Sequence, residues 1–235
     1  MKNLLVLGER VNASVVTLEE GTIVIDTSVD EEGADAVHAA AGERGSVLYV
    51  VNTHEHDDHL AGNRLFTCPA ISSAAARQQM VEASVAALPD LVFSHELELF
   101  LSQRVFLKHY GGHSPGSAVV FFPQEGLLFT GDLVFNGRVP YMGEADFHRW
   151  LAALTELEGW DASTVVPGHG PKGGKELLTR QRQWLEQYIE DVLNWTAQGL
   201  SFQEMLQQVL MRHQVVERWH PMLLRSFELI LKEYN

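Results

Sequence analysis

Residues 54–59 read His-Glu-His-Asp-Asp-His, which puts three imidazoles and two aspartates within six consecutive positions. Imidazole nitrogen and carboxylate oxygen are the ligands that zinc-type ions take, and catalytic zinc keeps one position open for water. Three further segments carry the same donor types: Gly111-Gly-His113-Ser-Pro-Gly-Ser117, Leu128-Phe-Thr-Gly-Asp132 and Val165-Val-Pro-Gly-His169-Gly170. Each places a His or Asp just after an apolar run or inside a Gly/Pro turn. A histidine-rich surface loop is the competing reading of residues 54–59, and it predicts no such partners elsewhere. Four separate loops presenting donors at one kind of position point instead to a metal site.

Such donors need rigid elements to aim them. The run Ser46-Val-Leu-Tyr-Val-Val-Asn-Thr53 is β-branched and apolar and reads as a buried strand. Leu60–Phe66 reads as the start of a helix. The histidines then sit on a turn leaving the C-terminal end of a strand, where layered α/β proteins build their sites. Strand-like runs cover 3–7, 13–18 and 22–27; a helix is expected at 33–43, opened by Asp30-Glu-Glu-Gly33. Residues 73–87 are strong helix formers behind a Ser cap, stopped by Pro89. Strands follow at 97–101, 104–109, 118–122 and 127–130, then a helix at 145–157 and a strand at 164–166. Two rounds of strands and helices suit two sheets packed face to face with helices outside.

From Gly174 onward the pattern is helical only. Apolar residues recur three and four apart from Leu177 to Leu193. Gly199 reads as the residue just past a helix end, and Ser201 with Glu204 as a capping box for the next helix. A last helix is expected over about 221–233. The division is therefore 1–172 for the layered catalytic domain and 173–235 for a helical extension packed on it. The apolar face of that extension also leaves a homodimer open.

A chain of 235 residues buries a full core, and 46% apolar with 20% charged residues are globular values. The net charge of −14, from 17 Lys+Arg against 31 Asp+Glu, repels phosphate backbones, so nucleic acid is not expected as a partner. The single cysteine, Cys68, excludes an intrachain disulfide and reads as a buried inert thiol. The apolar run Leu4–Leu7 is too short for a secretory leader, and no stretch approaches the ~20 apolar residues of a membrane span. The expectation is a cytoplasmic protein, free of membranes, that acts on a small molecule.

The pieces His54-x-His56-x-Asp58-His59, His113, Asp132 and His169, in that order, resemble the metallo-β-lactamase-fold hydrolase superfamily over about residues 10–170. Asp26, in Ile23-Val-Ile-Asp-Thr-Ser28, is similar to that family's early strand-ending aspartate. The resemblance implies an α/β fold, a four-layer αββα sandwich, here carrying a C-terminal helical extension. One ion would take His54, His56 and His113; a second would take Asp58, His59 and His169; Asp132 would bridge them. Two ions roughly 3.5–4 Å apart form the clamp of hydrolytic two-metal sites, and a shared water losing its proton near neutral pH would be the nucleophile. Asp58 would also orient it. Two Zn2+ per chain are expected, with iron or manganese as the other ions this set admits. Family members doing redox chemistry on two irons carry a Glu where this chain has His56. Glu55 and Asp57 alternate with the donors and are expected to face solvent or to support the ligands.

For the reaction, Phe129-Thr-Gly-Asp-Leu-Val-Phe135 is similar to thioester hydrolases of the glyoxalase II type, but no glutathione-binding signature follows. Residues 137–151 resemble a less characterised zinc-hydrolase branch instead. The expectation is hydrolysis of a small thioester, ester, lactone or amide. Arg138 and Tyr141 are candidates for gripping a substrate carboxylate, and His148 for reaching the substrate. The alternatives are a β-lactam hydrolase on the same centre, a persulfide dioxygenase on one iron, or a metal-binding protein without turnover. His38, His213 and His220 read as surface residues on helices, and His95 and His109 as structural.

Overall fold

The computed structural model describes residues 3–8 and 10–234.

The β-branched runs form two sheets. The first holds β1 (Leu4–Leu7), β2 (Ala13–Thr17), β3 (Thr22–Ile25), β4 (Val47–Val51), β5 (Ala70–Ser73) and β6 (Leu91–Phe93), in that spatial order. Its β1–β3 pair antiparallel and its β3–β6 pair parallel. The second holds β7 (Glu96–Phe100), β8 (Arg104–His109), β9 (Ala118–Phe122), β10 (Leu127–Phe135) and β11 (Thr164–His169), in the order β11-β10-β9-β8-β7. Only β10 and β11 pair parallel there.

The two-residue period of a strand sorts the side chains into layers. Ile23 and Ile25 of β3 meet Val120 and Phe122 of β9 and Leu127 and Phe129 of β10 in a core between the sheets. Their neighbour Val24 points the other way, to Val37 and Ala41 of α1 (Glu31–Gly42). Likewise Val119 and Phe121 turn from that core toward α3 (Phe147–Leu157), meeting Trp150, Leu154 and Leu157. The result is four layers, helix, sheet, sheet, helix, with α2 (Ala74–Glu82) seated on Leu60 through Ala76 and Met80. The remaining helices, α4 (Glu176–Ala197), α5 (Phe202–Arg212) and α6 (His220–Tyr234), join the α3 side of the second sheet in one apolar cluster. The extension therefore spends its apolar face on the rest of the chain. Among the described residues no helix is long and apolar enough to cross a membrane.

The expected caps are in place: Ser73 accepts from Ala76, and Ser201 with Glu204 forms a reciprocal capping box. Asp30 and Asp146 cap α1 and α3 as well, accepting from Gly33 and Arg149. Several expectations need correction. Leu60–Phe66 does not start an α-helix: two 3-10 turns, Asp57–His59 and Asn63–Leu65, take its place. The backbone of His59 and of Gly62 is there tied to Thr27, which prevents a regular helix. The helix expected over 73–87 ends at Glu82, because Ser84 takes the left-handed conformation at φ 60°. β10 runs to Phe135 and β11 to His169, so Asp132 lies within a strand and His169 at a strand end rather than in loops. Cys68 is half-buried rather than buried, and what burial it has pushes its thiol up, toward the unreactive protonated form. His213 caps α5 in an extended conformation and does not lie within a helix.

Candidate metal centre

The donors converge at one edge of the sandwich. His54, His56, His113 and Asp132 each offer a ligand atom within 4.8 Å of the others, and Asp58, His59 and His169 form a second such set. The Asp132 carboxylate lies between them. Its Oδ2 is 3.8 Å from His54 Nε2, 3.6 Å from His113 Nε2 and 3.1 Å from His169 Nε2, while Oδ1 is 3.3 Å from His59 Nε2. Asp58 Oδ2 is 3.5 Å from His169 Nε2. All seven metal-ligand candidates of the sequence are thus brought together.

Four of the five rings are turned by a partner on the other nitrogen, which decides which nitrogen is left for a ligand. His113 Nδ1 donates to the Tyr141 carbonyl at 3.0 Å, and His169 Nδ1 to the Arg10 carbonyl at 2.6 Å. Asp26 organises two more. It accepts from His59 Nδ1 at 2.8 Å, from the Thr53 amide at 2.8 Å and from the Thr53 hydroxyl at 2.8 Å. With its only proton given to Asp26, the Thr53 hydroxyl accepts from His54 Nδ1 at 3.0 Å. His56 is the exception: its Nδ1 lies 3.1 Å from His113 Nε2, and its Nε2 faces Glu144 at 3.7 Å.

The backbone is shaped for this approach. Asp26 holds a left-handed conformation, φ 55°, which aspartate tolerates better than most residues. A Cβ on Gly168 would stand 1.8 Å from Asp132 Oδ1, so β11 passes the carboxylate only because residue 168 has no side chain. Glu55 is buried rather than solvent-facing, and accepts from the Ser114 hydroxyl and the Gly116 amide, both at 3.1 Å, pinning the loop that carries His113.

Burial and charge oppose each other here. Burial, aided by the charge of His59, holds His54 well below the usual imidazole range, and burial pushes His113 down to about 3. Burial also acts against charge on His59, but Asp132 and Asp26 outweigh it and raise that ring well above its ordinary value. Burial would raise Asp132, yet the imidazoles of His169, His59 and His54 hold it well below the carboxylate range.

The donor set fits cations. His54 Nε2, His59 Nε2 and Asp132 Oδ1 are buried without a hydrogen-bond partner. Unpaired buried polar atoms cost about 1–3 kcal/mol each, and proteins rarely leave several in one place. Imidazole-rich ligation with few carboxylates suits zinc.

A cleft of about 290 Å³ opens over the cluster, lined by His56, Asp57, Asp58, Asp132, Phe135, Tyr141, Glu144, His169 and Trp219. Tyr141 thus borders the cleft. Arg138 reaches the far side of His169, 3.4 Å from its Nδ1, and lines a neighbouring pocket. His148 is a correction: it is not among the cleft residues, and its ring packs on Tyr234 at 4.4 Å with Nε2 3.3 Å from the Glu233 carbonyl. Helix α6 draws it away. Sequence reasoning missed Glu144, one acid among 31, and Phe135, whose ring stacks on His169 at 5.0 Å. It also missed Trp150, edge-on to His113 at 5.3 Å and fixed by its indole N–H on the Leu133 carbonyl.

The chain is similar to known proteins. The sequence family described as "Metallo-beta-lactamase superfamily" matches residues 6–67 and 73–169. A "Metallo-beta-lactamase type 2" of Bacteroides fragilis is 26% identical over 196 residues, 76% of each chain. A "Hydroxyacylglutathione hydrolase" of Bartonella tribocorum is 26% identical over 182 residues, covering 73% of this chain and 70% of its own. Among solved structures, a metallo-beta-lactamase from Pontibacter korlensis superposes with a TM-score of 0.68 at 28% identity, over 75% of this chain and 87% of the other. A sec-alkyl sulfatase variant, at 15% identity and a TM-score of 0.77, covers 100% of this chain and 49% of its own, so it shares the fold alone. With a family match over residues 6–67 and 73–169, which include every candidate donor, the chain belongs to the metallo-beta-lactamase superfamily of hydrolases.

Proposed function

We propose that the protein is a dinuclear zinc hydrolase of a small thioester, ester, lactone or amide. The observation that carries this reading is the set of buried, unpartnered ring nitrogens and carboxylate oxygen facing one another across Asp132. His54, His56 and His113 would hold one ion, Asp58, His59 and His169 the other, and Asp132 both. Bound zinc supplies a water that ionises near pH 7 and positive charge to polarise a carbonyl.

The chain's own groups do the rest. Asp58 is 37% exposed at the cleft, where its carboxylate accepts a proton from an attacking water and holds it in line. Phe135, Tyr141 and Trp219 wall the cleft and displace bulk water from the reacting bond. Glu144 faces His56 Nε2, which leaves Nδ1 as the ligand atom of that ring.

The relatives named for β-lactam and for hydroxyacylglutathione hydrolysis frame the substrate question. The test is a panel of thioesters, lactones and a chromogenic β-lactam on zinc-loaded protein, with His56→Ala and Asp132→Ala beside it. Turnover of an activated acyl substrate, lost in both variants while the fold is intact, supports the reading. Absence of turnover across the panel, or unchanged turnover in both variants, overturns it.

A further inference from the structure

The C-terminal extension touches the metal centre's supports through residues that the family match does not cover. That match ends at residue 169, whereas α6 is the last helix of the chain. The final turn of α6 lies against the first turn of α3. There the Glu233 carboxylate accepts from the Phe147 amide, at 2.9 Å to Oε2 and 3.2 Å to Oε1, and from the His148 amide at 3.2 Å. These are the first two amides of α3, and no acceptor within that helix serves them. Asp146 caps the third, Arg149, at 2.9 Å. A carboxylate at a helix N-terminus is also favoured by the helix dipole. Glu233 thus helps to fix where α3 begins, although it stands 86 positions from Phe147 in the chain.

The start of α3 in turn carries the limb that bears His113. The Asp146 amide donates to the Gly112 carbonyl at 2.8 Å. A Cβ on Gly112 would stand 2.8 Å from Trp150 Cα, so the backbone just before His113 rests directly on the first turn of α3. Trp150 itself is edge-on to the His113 ring at 5.3 Å. The segment leading into α3 holds Tyr141, whose carbonyl accepts from His113 Nδ1 at 3.0 Å, and Glu144, which faces His56 Nε2 at 3.7 Å. The backbone before His113, the indole beside its ring and the carbonyl on its Nδ1 all depend on where α3 begins.

We propose that Glu233 is a positioning residue for the metal centre: by capping α3 it holds residues 141–146 and the Gly112 carbonyl in place, and through them the His113 ring. Its effect on zinc rests on the dinuclear reading; its effect on the His113 ring does not.

The experiment compares Glu233→Ala, Glu233→Gln and Ile230→Val in the full chain. Ile230 is fully buried in the same helix, so Ile230→Val weakens α6 by a lost methylene group without touching the Glu233 contacts. It controls for stability alone. Zinc affinity is read by competition with a chromogenic chelator, and the His113 Nδ1 proton by NMR in metal-free protein. Glu233→Ala is expected to bind zinc about tenfold more weakly, the low end for a lost orienting partner, because Glu233 acts through α3 rather than on the ring. The His113 Nδ1 proton signal should shift or be lost to exchange. Glu233→Gln keeps an oxygen for the two amides and should restore the signal and most of the affinity. Ile230→Val should leave both as they are in the unaltered chain.

A Glu233→Ala variant that binds zinc within about twofold of the unaltered chain, or that keeps the His113 signal, overturns the inference. So does an Ile230→Val variant that loses as much affinity, or a Glu233→Gln variant that restores nothing. If the unaltered chain takes up no zinc, the dinuclear reading fails, and the His113 signal alone decides the role of Glu233.

Discussion

Replacing Asp26 by Asn tests how the ligand rings are aimed. The carboxylate accepts three hydrogen bonds, from His59 Nδ1, the Thr53 amide and the Thr53 hydroxyl, in a site where Asp26 is 2% exposed. An amide keeps one oxygen and turns the other into a donor. The Thr53 N–H is fixed in the backbone, so the oxygen stays with it and the new NH2 faces His59 Nδ1. Two donors then meet unless His59 changes tautomer. The change moves its proton to Nε2, the nitrogen 3.3 Å from Asp132 Oδ1. A protonated nitrogen cannot bind a cation. Losing such an orienting partner costs 10–100-fold in metal affinity, about 1.4–2.8 kcal/mol. The fold should lose no more than about 1–3 kcal/mol, the cost of one poorly satisfied buried group. Competition with a chromogenic chelator reads the affinity, and thermal denaturation in excess chelator reads the fold separately. An Asn variant that holds both metal equivalents within twofold of the unaltered chain would refute the argument that Asp26 sets the His59 tautomer.

Gly168→Ala places a Cβ where Asp132 Oδ1 stands, 1.8 Å away, so either β11 or the carboxylate must move. A loss of about 1–3 kcal/mol with failure to retain metal on dialysis is expected, and an unchanged Tm with full metal uptake would contradict it. In metal-free protein, His113 titrates near 3 because it is buried. Its folded pKa lies below the ordinary value of about 6.5, so the stability it contributes is complete above pH 6.5 and is lost as pH falls toward 3, where the unfolded chain binds a proton that the folded chain refuses. Its ring NMR signals should stay flat from about pH 8 to 5; a midpoint near 6 contradicts the burial.

How much of this was legible depended on distance along the chain. The β-branched runs around Ile23, Val50 and Phe121 announced their strands because their side-chain types favour a pleated, buried surface. Ser201 and Glu204, three apart, carried their cap within the sequence itself. β5 escaped notice because Ala70-Ile-Ser-Ser73 runs directly into the helix formers of α2, and β6 because three residues are too short for a period. The donors were visible because His and Asp declare their chemistry by type. What aims them was not: Asp26 meets His59 across 33 positions, and Tyr141 meets His113 across 28. Only folding brings those partners together.

Native mass spectrometry of the chain after zinc loading and removal of free metal addresses the central claim directly. Five imidazoles and two carboxylates arranged around Asp132 should retain two zinc ions per chain, falling to at most one in a His59→Asn variant. A chain mass that zinc does not change, with the fold intact by circular dichroism, would contradict the account.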